Sequence, residues 1–252
     1  MYTGGTAVEI SGAWFDEKLD YGVIPYCKIG EKIVRAQFSS TVRIICYAPP
    51  NDNLSQALPV RVSLNGVDWV DSGFFFSYYY PPEVNSLSPA SGIYQGGTEI
   101  MLHGNRFSNI TDPSIVKCRF SFKNGTDGWR ETANKTMPAF YMDSNTMMCM
   151  SPNGFMGGDK VYVQLTFNDN EYSDVNENLI FNYYALFGSF PHSGPADGFN
   201  EVILVRGAGL NIGGQIFCHL NKTDVLPVSV ADDVIQCPMV LPTKDPLVTG
   251  YV

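Results

Sequence analysis

The chain has 252 residues, of which 44% are hydrophobic, and its formal net charge at pH 7 is −9. This length suits two or three domains, and the apolar fraction is typical of globular proteins. The acidic balance argues against nucleic-acid binding, which needs a concentrated Lys/Arg surface. The sequence contains no run of 18 apolar residues, so it predicts no membrane span. We therefore expect a globular multidomain protein with no nucleic-acid partner and no membrane insertion by this segment.

Three similar units follow one another along the chain. The first runs from Gly4-Gly5-Thr6 to the aromatic strand at 74–79, and a complete second copy holds Gly96-Gly97-Thr98. We assign the units to residues 1–81, 82–184 and 185–252. The first unit lacks the strand that should precede its Gly-Gly-Thr, and the third lacks its last hairpin. The units are therefore a complete copy between two incomplete ones.

The pattern within the units predicts an all-β fold. Val8 and Ile10 alternate with Glu9 and Ser11, as in a half-buried strand, and 24 Gly and 16 Pro separate short β-rich runs. The pair Asn65-Gly66 is typical of a hairpin turn. We expect β-sandwiches of about seven strands in each complete unit.

Several repeated features resemble the IPT/TIG domain family. They are the Gly-Gly-Thr strand, a glycine shortly before an aromatic residue, a proline after the second cysteine (Pro49, Pro152 and Pro238) and a closing Phe-x-Tyr. Residues 83–92 look like the first strand of that family. The resemblance implies tandem immunoglobulin-like β-sandwiches, as found in plexin-type receptors, fibrocystin-like surface proteins and transcription factors. It implies a modular scaffold and no particular activity.

Each unit carries one pair of cysteines. The first and third pairs have the same spacing, and an insertion lengthens the second. Equivalent pairs in every repeat predict one disulfide per unit, whereas scattered histidines (His103, His192 and His219) and the lack of C-x-x-C argue against a metal site. Free buried thiols are the other alternative. The predicted disulfide cysteines are Cys27, Cys46, Cys118, Cys149, Cys218 and Cys237.

Five N-x-[ST] sequons occur in predicted loops or at strand edges. Together with the disulfides they predict an extracellular or cell-surface glycoprotein, although unmodified polar loops would give the same pattern. No signal peptide is present in this sequence, so we expect a processed or excised piece of a longer precursor. N-linked glycans are expected and no cofactor is. The predicted glycosylation sites are Asn53, Asn109, Asn124, Asn134 and Asn221.

No catalytic motif occurs, so we predict that the chain is not an enzyme. The densest acidic stretch contains Asp169, Glu171, Asp174 and Glu177. It lies in the loop of a predicted hairpin and lacks the glycine of a calcium loop, so a solvated loop is favoured over a weak Ca²⁺ site.

Aromatic clusters close the first and second units. Successive residues of a strand point to opposite faces, so half of these rings should lie on an outer face. They either pack within and between the units or form a contact surface for a neighbouring chain. The predicted interface residues are Phe75, Tyr78, Tyr80 and Tyr184.

Two functions follow from these features. Incomplete terminal sandwiches would expose strand edges, which predicts a structural glycoprotein that self-associates head-to-tail into a filament or belongs to a longer tandem array. The alternative is the ectodomain of a cell-surface receptor or adhesion protein, with the units as spacers and another surface protein as partner. An accessory module of a carbohydrate-active enzyme is a third possibility. Acidity and paired cysteines argue against a DNA-binding role.

Overall fold

A computed structural model describes residues 3–15, 24–52, 57–110, 113–122, 134–193, 202–220 and 222–239. Within these ranges the chain forms 19 β-strands and one 3-10 turn, Pro113–Ile115, but no α-helix. None of the described residues forms a helix that is long and apolar enough to cross a membrane. The all-β prediction is therefore confirmed.

The first unit contains six strands in the order β1-β4-β3-β2-β5-β6. The long strand β3 passes from one sheet to the other, because its first half pairs with β2 and its second half, after Arg35, pairs with β4. Val8 and Ile10 are partly buried while their neighbours in β1 are exposed, as predicted. The strands are β1 (Ala7–Ser11), β2 (Tyr26–Ile29), β3 (Lys32–Ser40), β4 (Arg43–Tyr47), β5 (Ala57–Ser63) and β6 (Val70–Ser77).

The second unit repeats this arrangement and adds two strands before its Gly-Gly-Thr. β7 pairs antiparallel with β9, and β8 pairs parallel with β14, so this leading segment closes both sheets. β11 switches sheets after Pro138 as β3 does. The strands are β7 (Glu83–Ser88), β8 (Ser91–Ile93), β9 (Glu99–Asn105), β10 (Lys117–Ser121), β11 (Lys135–Asp143), β12 (Thr146–Met150), β13 (Lys160–Thr166) and β14 (Ile180–Phe190).

The third unit shares a strand with the second. β14 pairs with β13 through residues 180–182 and with β15 through residues 185–190. The predicted boundary between residues 184 and 185 thus falls inside one continuous strand. The remaining strands are β15 (Val202–Ala208), β16 (Cys218–Leu220), β17 (Thr223–Val225), β18 (Ser229–Val230) and β19 (Val234–Pro238).

The cores of the first two units differ in continuity. The second unit has one large cluster around Cys118 and Cys149, to which Val84 and Leu87 of β7 contribute. In the first unit the buried residues form two separate clusters, one around Cys27 and Cys46 and the other around Tyr78. The side chains that β7 supplies to the second core have no counterpart among the described residues of the first unit.

The hairpin predicted at Asn65-Gly66 is present but its turn is longer than expected. β5 ends at Ser63 and β6 begins at Val70. The Asn65 side chain accepts hydrogen bonds from the backbone N–H groups of Val67 (2.9 Å) and Asp68 (2.8 Å), and Gly66 has a positive φ of 74°. These side-chain bonds stabilise a wider loop in place of a two-residue turn.

Candidate functional site: latches and junctions of the units

A buried tyrosine holds the same turn in the first two units. Tyr78 donates a hydrogen bond to the carbonyl oxygen of Pro49 (2.6 Å), and Tyr183 donates one to that of Pro152 (2.9 Å). Each proline follows the second disulfide cysteine of its unit. The closing strand is thereby fixed to the turn after the disulfide, and we call this contact the tyrosine latch.

The Gly-Gly-Thr segment lies against the same turn. A side chain at Gly4 would collide with Pro49 and Pro50, and one at Gly96 would collide with Pro152 and Asn153. Both glycines have positive φ, and the next N–H donates to a carbonyl of the turn in each unit. Glycine is needed here for both its conformation and its size.

Burial of the phenol raises the pKa of Tyr183, and it also raises that of Tyr79. The two hydroxyl groups differ in their surroundings. Tyr183 has the latch bond, whereas the buried Tyr79 hydroxyl has no hydrogen-bond partner among the residues that the structure describes. A nearby Glu171 carboxylate adds to the rise of the Tyr79 pKa.

Tyr79 belongs to the junction between the first and second units. Its ring contacts Phe167 edge to face, with centroids 5.5 Å apart, and it packs against the core of the second unit. Beside it, the Thr6 hydroxyl donates to the Glu171 carboxylate (2.9 Å), and Asn168 also donates to that carboxylate (3.0 Å). The junction therefore combines an aromatic contact with a charge-assisted hydrogen bond.

The acidic stretch has structural partners. Glu171 holds Thr6, Asp169 pairs with Lys117, and Glu177 accepts a hydrogen bond from the Tyr162 hydroxyl (2.7 Å). Across the described part of the chain, no group of His, Cys, Asp and Glu is arranged to hold a metal ion. The expectation of a simple solvated loop did not include the contact of Glu171 with the first unit.

The junction between the second and third units depends on glycine. A side chain at Gly209 would meet the backbone of Gly158 and the carbonyl oxygen of Tyr183 (2.6 Å), and one at Gly157 would meet Ala185 (2.6 Å). The N–H of Gly158 donates to the Tyr183 carbonyl (2.7 Å). Together with the shared strand β14, this close backbone packing joins the two units.

The four predicted interface aromatics lie in different surroundings. Phe75 is exposed, and the half-exposed Tyr80 has the Arg106 guanidinium over its ring (5.4 Å). Tyr184 is partly buried against the core of the third unit. The prediction of Tyr78 as an interface residue is corrected, because its ring lies in the core and its hydroxyl forms the latch. Tyr78 is therefore not available to a neighbouring chain.

The structure joins the six cysteines in the three predicted pairs, with Cα–Cα distances of 6.3, 6.4 and 5.8 Å in chain order. The first two pairs are fully shielded from solvent, and the third is nearly as well buried. His219 is exposed on β16, with its Nδ1 2.7 Å from an Asp224 carboxylate oxygen. The pairs lie within units, so each disulfide stabilises one sandwich.

The asparagines of two predicted sequons, Asn109 and Asn134, are exposed. Asn53, Asn124 and Asn221 lie outside the described residues. Sequence reasoning found the cysteines and the repeats, but it missed the tyrosine latch, the pairing of Thr6 with Glu171 and the packing of Gly158 on Gly209. The repeated Phe-x-Tyr and Cys-x-x-Pro signals could have suggested the latch, since they recur together.

Comparison with known proteins finds a family match for the second unit. Residues 82–183 match the IPT/TIG domain. The chain is 28% identical to human plexin-A2 over 151 residues, which is 60% of this chain and 7% of plexin-A2, and 24% identical to mouse plexin-A3 over 156 residues, 62% of this chain and 8% of that protein. This chain therefore spans less than a tenth of the length of these relatives.

Among solved structures, the full extracellular region of plexin A4 aligns with 94% of this chain and 19% of its own, at 18% identity and a TM-score of 0.45. The family match covers the unit whose leading strand, disulfide and tyrosine latch are all present. Residues 82–183 of this chain form an IPT/TIG domain.

Proposed function

We propose that this chain is a non-enzymatic part of the extracellular region of a cell-surface receptor, in which tandem Ig-like units act as a spacer. The observation that carries the proposal is the similarity to plexins across 151 residues, which extends beyond the matched IPT/TIG domain. Three disulfides support an extracellular position, because such bonds persist in oxidising compartments.

The two junctions support a spacer that resists bending. Between the second and third units, bending would have to distort β14, which is hydrogen-bonded to strands of both. Between the first and second units, the ring of Tyr79 packs against the core of the next unit. Domains joined by larger apolar contacts and continuous strands are expected to move together.

Glycosylation of Asn109 and Asn134 belongs to the same proposal. Both side chains are exposed, so a glycan at either site would not displace core residues. Treatment of the secreted protein with a peptide-N-glycosidase, followed by mass spectrometry, should convert occupied asparagines to aspartates. An unglycosylated secreted protein would contradict this part of the proposal.

The partner that we propose is another surface protein, and head-to-tail self-association is the competing outcome. Light scattering after size-exclusion chromatography and small-angle X-ray scattering of the secreted chain separate the two. A spacer predicts a monomer whose maximum dimension is independent of concentration. Growth of the particle with concentration would favour the filament, and a broad, flexible distance distribution would contradict a stiff spacer.

A further inference from the structure

One outer face of the second unit carries a row of apolar side chains. β7, β9, β12 and the second half of β11 form one sheet. Met147 and Cys149 of β12 lie in the core, so Met148 between them faces outwards. Register pairing places Phe140 of β11 on one side of Met148 and Met101 of β9 on the other. We call Phe140, Met148 and Met101 the methionine row.

The fold does not require apolar residues at these positions. The first unit has the same three strands in the same register, and its row consists of Gln37, Ile45 and Glu9. Glu9 forms an ion pair with Arg43 there (2.9 Å). Apolar side chains that are exposed without being needed by the fold mark a contact surface. Methionine suits such a surface, because its flexible and polarisable side chain adapts to the shape of a partner.

The two outer faces of the second unit differ in exposure. On the opposite face Gln164 is 5% exposed and Thr166 is fully buried, because the loop after β13 folds back over that sheet. The ring of Tyr172 from this loop lies over the Arg119 guanidinium (3.8 Å). Phe140 in the methionine row is 49% exposed. The second unit thus covers one outer face with its own chain and leaves the apolar row of the other accessible.

Carboxylates lie at two corners of this face. Asp143 is the register partner of Thr146, Glu99 is that of Met150, and both acidic residues are exposed. The two positions are separated by about 14 Å along the strands and by about 10 Å across them. None of residues 83–88, 99–105, 138–143 and 146–150 is Lys or Arg. The face is therefore apolar in its middle and negatively charged at its ends.

We propose that this face binds a surface strand of another protein that carries an apolar side chain between two cations, in the pattern cation-x-apolar-x-cation. Alternate residues of a strand share one face, so the two cations are about 14 Å apart and reach the two carboxylates while the apolar side chain lies on the methionine row. Charge complementarity identifies the occupant. A second copy of the same face offers no cation, and a net charge of −9 attracts a basic partner at long range.

The inference deepens the proposed function, and it rests on that function only for the extracellular location of the partner. The spacer is tested by scattering of the chain alone, whereas this face is tested by binding. Failure of one experiment is therefore distinguishable from failure of the other.

The probe is a β-hairpin peptide, closed by a disulfide, that displays Lys, Leu and Lys at alternate positions of one strand. It is titrated into the whole chain with isotope-labelled methionine methyl groups, and the methyl resonances are followed by NMR. We expect saturable shifts at Met101 and Met148 and none at Met156, an exposed methionine in the loop after β12. Hairpins in which serine replaces the leucine, or glutamate both lysines, should bind about tenfold more weakly. Equal binding of the three hairpins, or an equal shift at Met156, would overturn the proposal.

Variants of the chain locate the binding. Phe140→Gln introduces the residue that the first unit carries at the equivalent position, so it is compatible with the fold, and it should weaken binding about tenfold. Phe75→Gln, at a more exposed position of the first unit, should leave binding unchanged.

The double change Glu99→Gln/Asp143→Asn should weaken binding and remove most of its dependence on salt. Wild-type affinity in the double variant or in Phe140→Gln would overturn the proposal. Light scattering that shows a dimer of the chain, dissociated by Phe140→Gln, would also overturn it, because the occupant would then be a second copy.

Discussion

Two buried tyrosine hydroxyls have opposite environments. Tyr183 donates to the Pro152 carbonyl, which lies in a buried turn, while the Tyr79 hydroxyl is buried near Glu171 without a hydrogen-bond partner among the described residues. A net hydrogen bond contributes about 1 kcal/mol, and an unsatisfied buried hydroxyl costs about the same or more. A sequence can suggest that both tyrosines are buried. Only the structure shows that one hydroxyl has a hydrogen-bond partner and the other has none among the described residues.

Substitution with phenylalanine should therefore act in opposite directions. Tyr183→Phe should lower the free energy of opening of the second unit by about 1–2 kcal/mol, and Tyr79→Phe should raise it by about 1 kcal/mol. Native-state hydrogen exchange of the β13 amides measures both, with the half-exposed Tyr141→Phe as control. A loss of stability in Tyr79→Phe would show that its hydroxyl has a partner.

The raised pKa values of Tyr79 and Tyr183 predict a loss of stability at high pH. Burial favours the neutral phenols, so the unfolded chain loses these protons first, near pH 10. Their contribution is complete below about pH 10 and falls as the pH rises further. Urea midpoints from pH 8 to 11, followed by circular dichroism, should decline less in the Tyr79→Phe/Tyr183→Phe double variant. Parallel curves would contradict the prediction.

Among the elements, the leading strand decides how each sandwich closes. β7 gives the second unit Val84 and Leu87 and joins its core into one cluster, whereas the first unit has two clusters and an open groove. The sequence predicted this difference, because it contains a segment like 83–92 only before the second Gly-Gly-Thr. It did not predict that the third unit uses the end of β14 for the same purpose, since that depends on where one strand leaves its sheet.

Equivalent glycines should consequently respond differently to alanine. Gly104→Ala places a methyl group on the Glu83 carbonyl and should destabilise the second unit by about 1–3 kcal/mol. Gly12→Ala meets only the outer edge of the Phe15 ring and no backbone atom, so it should cost the first unit less than half as much. Hydrogen exchange of the β9 amides measures the effect of Gly104→Ala, and that of the β1 amides measures the effect of Gly12→Ala. Equal costs would indicate that β7 does not determine the difference.

At the scale of the whole molecule, the junctions determine how the units are held together. The second and third units share β14 and approach so closely at Gly157 and Gly209 that no side chain fits. The first and second are joined by Tyr79 on Phe167 and by Thr6 on Glu171. These contacts connect residues far apart in sequence, and the proposed spacer role depends on them for its stiffness.

Loosening of the second junction should be visible in solution. Gly209→Ala would press a methyl group against the Tyr183 carbonyl, whereas Gly213→Ala, at a similar positive φ, meets open space. The backbone strain is common to both variants, so only crowding distinguishes them. Small-angle scattering should show a wider distance distribution for Gly209→Ala alone. The same profile for both variants would show that the glycine contact does not hold the units together.

The amino-acid sequence by itself determined the strand pattern, the repeat, the cysteine pairs and the complete second unit, because alternation of apolar residues and spacing of cysteines are local or periodic properties. The tertiary structure decided which tyrosine forms the latch, which carboxylate holds Thr6 and which strand edge stays open. These depend on backbone carbonyls and side chains that meet only after the sheets pack. The comparisons do not support the filament expected from the incomplete units. They do support the receptor alternative.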